Sequence, residues 1–303
     1  MMMTKNSFRC GVVALLGVPN TGKSTLMNRL IGWKIAITSA KPQTTRGQIR
    51  TVFTDDDAQL VFIDTPGIHI AKNKLGEYMV RAWDSALKGV DAVLLMTLPA
   101  KETGAVEREL LARLEKERVP VLVVVNKTDS FDETVVSDTI SRLRTEAPFA
   151  TVTGISALRG TGAEELLQAL KGMMPYGEPL YDEDALTDQP VRDIAAEIIR
   201  EKTLRLLNDE VPHGIAVTIE KMRERTAKDG APITDIDASI ICEKDTHKGI
   251  VIGRGASMLK KIGSLSRQDI EKLLEMKVNL QLFVKVRKDW RNDEMQLKGL
   301  GYR

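Results

Sequence analysis

The string Gly17-Val18-Pro19-Asn20-Thr21-Gly22-Lys23-Ser24 has the residue types and spacing that grip phosphate. Glycines there let backbone N–H groups turn inward around anionic oxygens, and a helix starting at the loop adds the positive end of its dipole. Lys23 can then reach the β- and γ-phosphates, while the Ser24 hydroxyl is left for magnesium and Thr25 stands beside it in the first helical turn. An apolar run, Gly11 to Leu16, precedes the string and a helical pattern, Ser24 to Ile31, follows it. That is the strand, loop and helix context such a loop requires.

A phosphate loop does not choose a base. Asn126-Lys127-Thr128-Asp129 follows a second buried-strand pattern, and Ser156-Ala157-Leu158 follows a third. The Asp129 carboxylate can accept from both the ring N–H and the exocyclic amino group of guanine. Adenine would leave that acceptor unpaired, a mismatch that costs about 10⁴ to 10⁵ in discrimination. Between these strings, Asp64-Thr65-Pro66-Gly67 ends another strand pattern. Asp64 can hold magnesium through a water, and the Gly67 N–H can meet the γ-phosphate. Upstream, Pro42-Gln43-Thr44-Thr45-Arg46 can supply a threonine hydroxyl to the same ion, and Thr45 is favoured over Thr44.

The five strings and their spacing resemble the translation-factor-related branch of GTPases and, over essentially the whole chain, the Era family. The resemblance implies a GTP-hydrolysing switch that uses Lys23, Thr45, Gly67 and Asn20. Ras-like enzymes place a water-orienting glutamine just after Asp-x-x-Gly, whereas Ile68 stands here. An aliphatic side chain can neither donate to water nor accept from it, so slow unaided hydrolysis is expected. Asn20 resembles the loop asparagine of GTPases that recruit K⁺, which would supply the positive charge an arginine finger provides elsewhere; it could equally serve to stabilise the loop.

Strand patterns at Gln48 to Thr54, Ala58 to Ile63, Asp91 to Thr97, Val121 to Asn126 and Thr151 to Ile155 alternate with helical ones at Leu75 to Lys88, Gly104 to Lys116, Thr134 to Thr145 and Gly162 to Met174. Alternation with short connections predicts an α/β domain, a mostly parallel sheet with helices on both faces, over residues 1–175. Its ligand would lie beyond the carboxyl ends of the strands, where all five strings fall. The stretch 176–190 is acidic, proline-containing and without period, and is expected to be a linker.

Residues 191–303 begin with an amphipathic helix to Asn208, followed by strands near Gly214 to Arg223 and Ile233 to Glu243. A glycine loop between strand and helix, a helix from Ser257, another from about Leu265 to Glu275, and a last strand from Val278 to Val286 complete the pattern. This order resembles an α+β type II KH domain, which implies that the loop grips the backbone of about four single-stranded nucleotides while bases lie in an adjoining groove. The expected RNA contacts are Lys248, Ile252, Gly253, Arg254, Gly255, Ala256, Lys260 and Lys261. From Lys244 to Lys261 five basic residues face one acid. The usual loop is Gly-x-x-Gly; here Ala256 takes the fourth place, and the expectation is that this place needs only a small side chain, not a left-handed backbone.

The chain has 303 residues, a length that suits two domains, and 43% hydrophobic residues, which excludes wholesale disorder. Residues 201–303 carry 20 Lys/Arg against 16 Asp/Glu, while the first 200 are net acidic, so the second half suits a polyanion. Two distant cysteines, Cys10 and Cys242, read as reduced thiols of a cytoplasmic protein. The early apolar run continues straight into the phosphate loop and reads as a buried strand in place of a leader, and no run approaches the ~18 residues of a membrane span.

By resemblance, the partners are GTP and GDP, Mg²⁺, the 3′ end of small-subunit ribosomal RNA and the small subunit during its assembly. A monomer with peripheral contact at the inner face of the cytoplasmic membrane is also implied. Two other functions fit the residues: a GTPase whose basic domain binds acidic lipid or protein, and an RNA-binding scaffold with an inert nucleotide pocket. Near the end of the chain Trp290, Leu297 and Leu300 are expected to pack a short final helix, with base stacking by Trp290 the lesser alternative.

Overall fold

Alternating buried strands and amphipathic helices produce a doubly covered sheet. The computed structural model describes residues 7–33, 35–36, 45–67, 73–207, 214–227 and 229–302, so Thr44 and Ile68 lie outside the described residues. The main division into two units falls between Asp188 and Gln189.

In the first unit the elements run β1 (Arg9–Gly17), α1 (Lys23–Ile31), β2 (Ile49–Thr54), β3 (Ala58–Asp64), α2 (Lys74–Ala86), β4 (Ala92–Thr97), α3 (Ala105–Leu114), β5 (Val121–Val125), α4 (Glu133–Glu146), β6 (Thr151–Gly154) and α5 (Ala163–Met173). The sheet order is β2-β3-β1-β4-β5-β6, parallel throughout except for β2, which runs antiparallel on β3. Every residue of β3, β4 and β5 is buried, as expected of strands covered on both faces. Leu26 and Met27 of α1 and Leu166 and Leu170 of α5 pack one face around Leu15, Phe62 and Leu94. Trp83, Leu110, Leu114 and Leu143 cover the other around Leu16, Leu95 and Val123. Each such leucine contributes roughly 1.5–3 kcal/mol by leaving water. The sheet is therefore a rigid plate, and the loops at its carboxyl edge inherit fixed positions.

The stretch expected to be a linker is anchored to this sheet as far as Asp188. The Cys10 N–H donates to Pro175 O at 3.0 Å, and the Gly177 N–H donates to Phe8 O at 3.1 Å. Gln59, wholly buried, accepts at Oε1 from the N–H groups of Leu180 and Tyr181 at 2.7 and 2.9 Å and donates Nε2 to Tyr181 O. The Val52 N–H donates to Leu186 O at 2.9 Å, and Thr187 donates its hydroxyl to Arg50 O. An irregular segment has free backbone groups, and the open side of β2 offers partners for them.

The second unit comprises α6 (Val191–Leu206), β7 (Ala216–Thr226), β8 (Pro232–Cys242), α7 (Asp245–Ile252), α8 (Ser257–Leu274), β9 (Lys277–Val286) and α9 (Glu294–Gly299). Its sheet has the order β7-β8-β9, with β7 antiparallel and β9 parallel to β8.

Two details correct the sequence reading. The glycine loop joins two helices, because the short run before it forms α7, in which His247 and Val251 are buried one turn apart. A brief apolar run does not by its pattern distinguish strand from helix. The segment from Ser257 is one helix rather than two: Ile262, Ser266 and Ile270 make a buried stripe at four-residue spacing, which outweighs the ~1 kcal/mol that Gly263 costs inside a helix. Trp290 is fully buried, donates Nε1–H to Gly214 O at 3.1 Å and stacks on Tyr302, so it packs the core as expected. Leu297 is buried beside it in sequence on the short final helix.

Candidate functional site

The loop after β1 is shaped by backbone that only glycine tolerates at two points. Gly17 has φ 145°, and a Cβ there would stand 2.3 Å from Met96 O; Gly22 has φ 98°, and a Cβ there would meet Asn126 Nδ2 at 2.2 Å. Asn20 also takes a left-handed φ of 65° at the exposed tip, flanked by half-buried Val18 and Pro19 and buried Thr21. Thr21 donates its hydroxyl to Val18 O at 3.0 Å and braces the turn. Lys23 is buried and its Nζ donates to Gly17 O and Val18 O at 2.9 and 3.1 Å, with half-buried Thr25 two residues on. Burial lowers the Lys23 ammonium to about 8, while the Asp64 charge pushes the other way.

Ser24, Thr45 and Asp64 converge. Ser24 Oγ lies 3.1 Å from Thr45 Oγ1 and donates to Asp64 Oδ2 at 3.0 Å, and Thr45 Oγ1 donates to the same oxygen at 3.4 Å. Desolvation raises the Asp64 carboxyl to about 6 against the pull of Lys23 and the two hydroxyls. Its other oxygen, Oδ1, is buried without a hydrogen bond of normal geometry. Two hydroxyls and one carboxylate with an uncommitted oxygen are hard ligands of the kind magnesium takes, so the residues fit the ion. After β3, buried Thr65 donates its hydroxyl to Leu15 O at 2.8 Å, Pro66 is buried, and Gly67 presses on the phosphate loop. A Cβ on Gly67 would sit 2.8 Å from Pro19 Cα.

On the base side, Asn126 joins two loops. Its Nδ2 donates to Thr21 O at 2.7 Å, and its Oδ1 accepts from the Ala157 N–H at 2.9 Å. Lys127 adopts a left-handed φ of 63°, and the Thr128 N–H donates to Ile155 O, which turns Asp129 outward to solvent. Ser156 donates its hydroxyl to Asp129 Oδ1 at 2.6 Å, and that bond is the leading cause of the carboxyl's lowered pKa. Leu158 is exposed. The site is thus an ionised acceptor on one side and donors with a hard-cation niche on the other, both at the sheet's carboxyl edge.

Two residues overlooked in the sequence tie these loops. Asn28 accepts at Oδ1 from the N–H groups of Ile35 and Ala36, pinning the chain after α1. Arg29, in the last turn of α1, donates to Ala157 O and Leu158 O. Neither belongs to a recognisable string; only tertiary placement reveals them.

In the second unit the glycine loop follows α7, which carries exposed Lys248 and, at its end, half-buried Ile252. Gly253 (φ 71°) allows Met258 to approach, since a Cβ would lie 2.8 Å from Met258 Cβ. Gly255 takes φ 59° and Ala256 φ 61°. The fourth loop place is therefore left-handed, contrary to the expectation that it needs only a small side chain, and Ala256 bears about 1–2 kcal/mol of steric cost. Ala256 and Lys260 line a groove of roughly 440 Å³ whose floor includes Leu280 and Leu282 of β9. Arg267, not foreseen, stands on its rim. Arg254 and Lys261 are exposed but do not line it, and neither does Lys248.

Comparison with known proteins identifies the two domains. Residues 12–127 match the family described as 50S ribosome-binding GTPase, and residues 210–291 match a KH domain family. The chain is 48% identical over 297 residues to GTPase Era of Clostridium tetani, covering 98% of this chain and 99% of the other. It is 36% identical, with a TM-score of 0.92, to a single-residue variant of Aquifex aeolicus Era bound to GDP.AlF4⁻, covering 97% of this chain and 99% of that one. At the same identity and coverage, with a TM-score of 0.93, it matches Era in complex with MgGDPNP and nucleotides 1506–1542 of 16S ribosomal RNA. A GTPase domain and a KH domain in this order, with likeness along nearly the full length, make the chain a member of the Era family of GTPases.

Proposed function

We propose that this GTPase is a switch whose KH domain binds the 3′ region of small-subunit ribosomal RNA and acts in assembly of the small subunit. One observation carries the reading: a relative alike in fold along the whole chain was captured with both MgGDPNP and that stretch of 16S ribosomal RNA. The groove beside Ala256 has an apolar floor and a rim bearing Lys260 and Arg267, as suits bases below and phosphates above.

Within the nucleotide site, Asp129 reads guanine and the N–H groups from Gly17 to Ser24 hold the phosphates, with Lys23 exchanging its loop carbonyls for phosphate oxygens. Ser24, Thr45 and Asp64 are the residues that would hold Mg²⁺, which when bound neutralises charge on the β- and γ-oxygens. Hydrolysis releases the segments around Thr45 and Gly67, the order-to-disorder device of nucleotide switches. Asn20, at the exposed loop tip, is the candidate for K⁺; equal turnover in potassium and sodium buffers would remove it.

The test is multiple-turnover phosphate release with and without a ribosomal 3′-end oligonucleotide, paired with filter binding at two salt concentrations. Specific binding with a salt slope that drops by about 0.7 in Arg254→Glu is expected. RNA affinity indifferent to that substitution and to RNA sequence would overturn the assignment.

A further inference from the structure

We propose that Arg29 is a positioning residue for guanine selectivity, acting through the loop that carries Ser156. The inference rests on the reading of Asp129 as the guanine acceptor.

Arg29 is exposed, yet its guanidinium is not spent on solvent. Nε donates to Ala157 O and Nη2 to Leu158 O, each at 2.6 Å, across a sequence separation of 128 and 129 residues. The Ala157 residue is also held from its other side, because its N–H donates to Asn126 Oδ1. The same loop is closed from within: the Gly160 N–H donates to Ser156 O at 2.7 Å, and the Arg159 N–H donates to Ser156 Oγ at 3.0 Å. Ser156 Oγ in turn donates to Asp129 Oδ1. Arg29 thus fixes the two carbonyls that follow Ser156, and Ser156 fixes the carboxylate that would read the base.

Gly160 supplies an independent sign that the arrangement is built. It has φ 90°, and a Cβ there would stand 2.8 Å from Arg29 Nη1. The turn leaves out a side chain where the guanidinium lies. Because α1 begins with Lys23 and Ser24 at the phosphate loop, one helix sets the phosphate ligands at its first turn and the base loop at its last. A planar fork reaches two successive carbonyls; a lysine would reach one.

The experiment compares wild type, Arg29→Met, Arg29→Lys and Gly160→Ala for the affinity of GDP and of IDP, which lacks the exocyclic amino group that Asp129 accepts. Expected for Arg29→Met is GDP binding weakened by about tenfold, the loss of charged hydrogen bonds. IDP should weaken far less, so that the IDP-to-GDP ratio narrows. Arg29→Lys should fall between, and Gly160→Ala should reproduce the narrowing by displacing the guanidinium. Equal weakening of both nucleotides, or unchanged binding, overturns the proposal even if the melting temperature falls. Absence of GDP-over-IDP preference in wild type would instead overturn the underlying assignment of Asp129.

Discussion

Asn126 lies directly against Gly22: its Nδ2, which donates to Thr21 O at 2.7 Å, occupies the space a Cβ on Gly22 would need, 2.2 Å away. The base loop and the phosphate loop are therefore one interlocked unit. Gly22→Ala must break this contact and adopt φ 98°, a strain of about 1–3 kcal/mol before any clash. Loss of at least tenfold in GDP affinity is expected by isothermal titration, with Asn126→Ala giving a comparable loss through the two abandoned hydrogen bonds.

Asp64 illustrates a stability cost kept for function. It is fully buried, and burial pushes its carboxyl up to about 6. Asp64→Asn should stabilise the nucleotide-free protein at pH 7.5 by on the order of 1 kcal/mol and raise its melting temperature, because the carboxylate is no longer desolvated, a gain reduced by the counter-charge that buried Lys23 loses. The same variant should lose magnesium-dependent GTP hydrolysis. A lower melting temperature in the empty protein would contradict this account.

Ala256 makes the opposite case. Replacing it with glycine removes the left-handed strain and should stabilise the protein by about 1 kcal/mol in urea denaturation, less the extra freedom of the unfolded chain. Gly253→Ala, which would drive a Cβ to 2.8 Å from Met258 Cβ, should destabilise it and distort the groove.

Gln59 holds the acidic strap. Truncation to Ala leaves the N–H groups of Leu180 and Tyr181 without their acceptor, a cost of about 1–3 kcal/mol for each group that stays dry. Hydrogen exchange at 180 and 181 should accelerate in Gln59→Ala, with little change in β4 and β5.

On the second sheet, the Asp235 carboxyl is lowered to about 2, first by its hydrogen bond from Arg225 and next by that from Asn279. A depressed acid contributes its stability above the unfolded value near 3.9 and loses it as pH falls toward 2. Arg225→Ala should return the Asp235 titration, followed by carboxyl NMR, toward the ordinary range and flatten stability between pH 4 and 2.

Much of this was legible because phosphate and guanine recognition demand fixed residue types: Gly22, Lys23, Ser24, Asp64 and Asp129 sit in strings whose spacing reflects strand ends. The α/β order was legible for the same reason, since wholly apolar strands such as Val121–Val125 leave no other reading. What escaped depends on distance in sequence. Arg29 meets carbonyls more than a hundred residues away, and Gln59 receives a strap equally remote. The helix before Gly253 escaped because the three apolar residues Ile250, Val251 and Ile252 are too short a run to show a period. The left-handed backbone of Ala256 is hidden because a residue's φ is not written in its type.

The strap that runs along the first sheet ends by pairing with β2 through Leu186 and Thr187, and β2 begins just after Thr45. The cable to the KH half is consequently moored to the very ribbon whose upstream end carries a hydroxyl of the magnesium niche. Arg50, Thr51 and Val52 hold that mooring by successive contacts with Leu186 and Thr187, so the stretch leading to Gln189 sets out from a fixed point on the sheet's outermost strand.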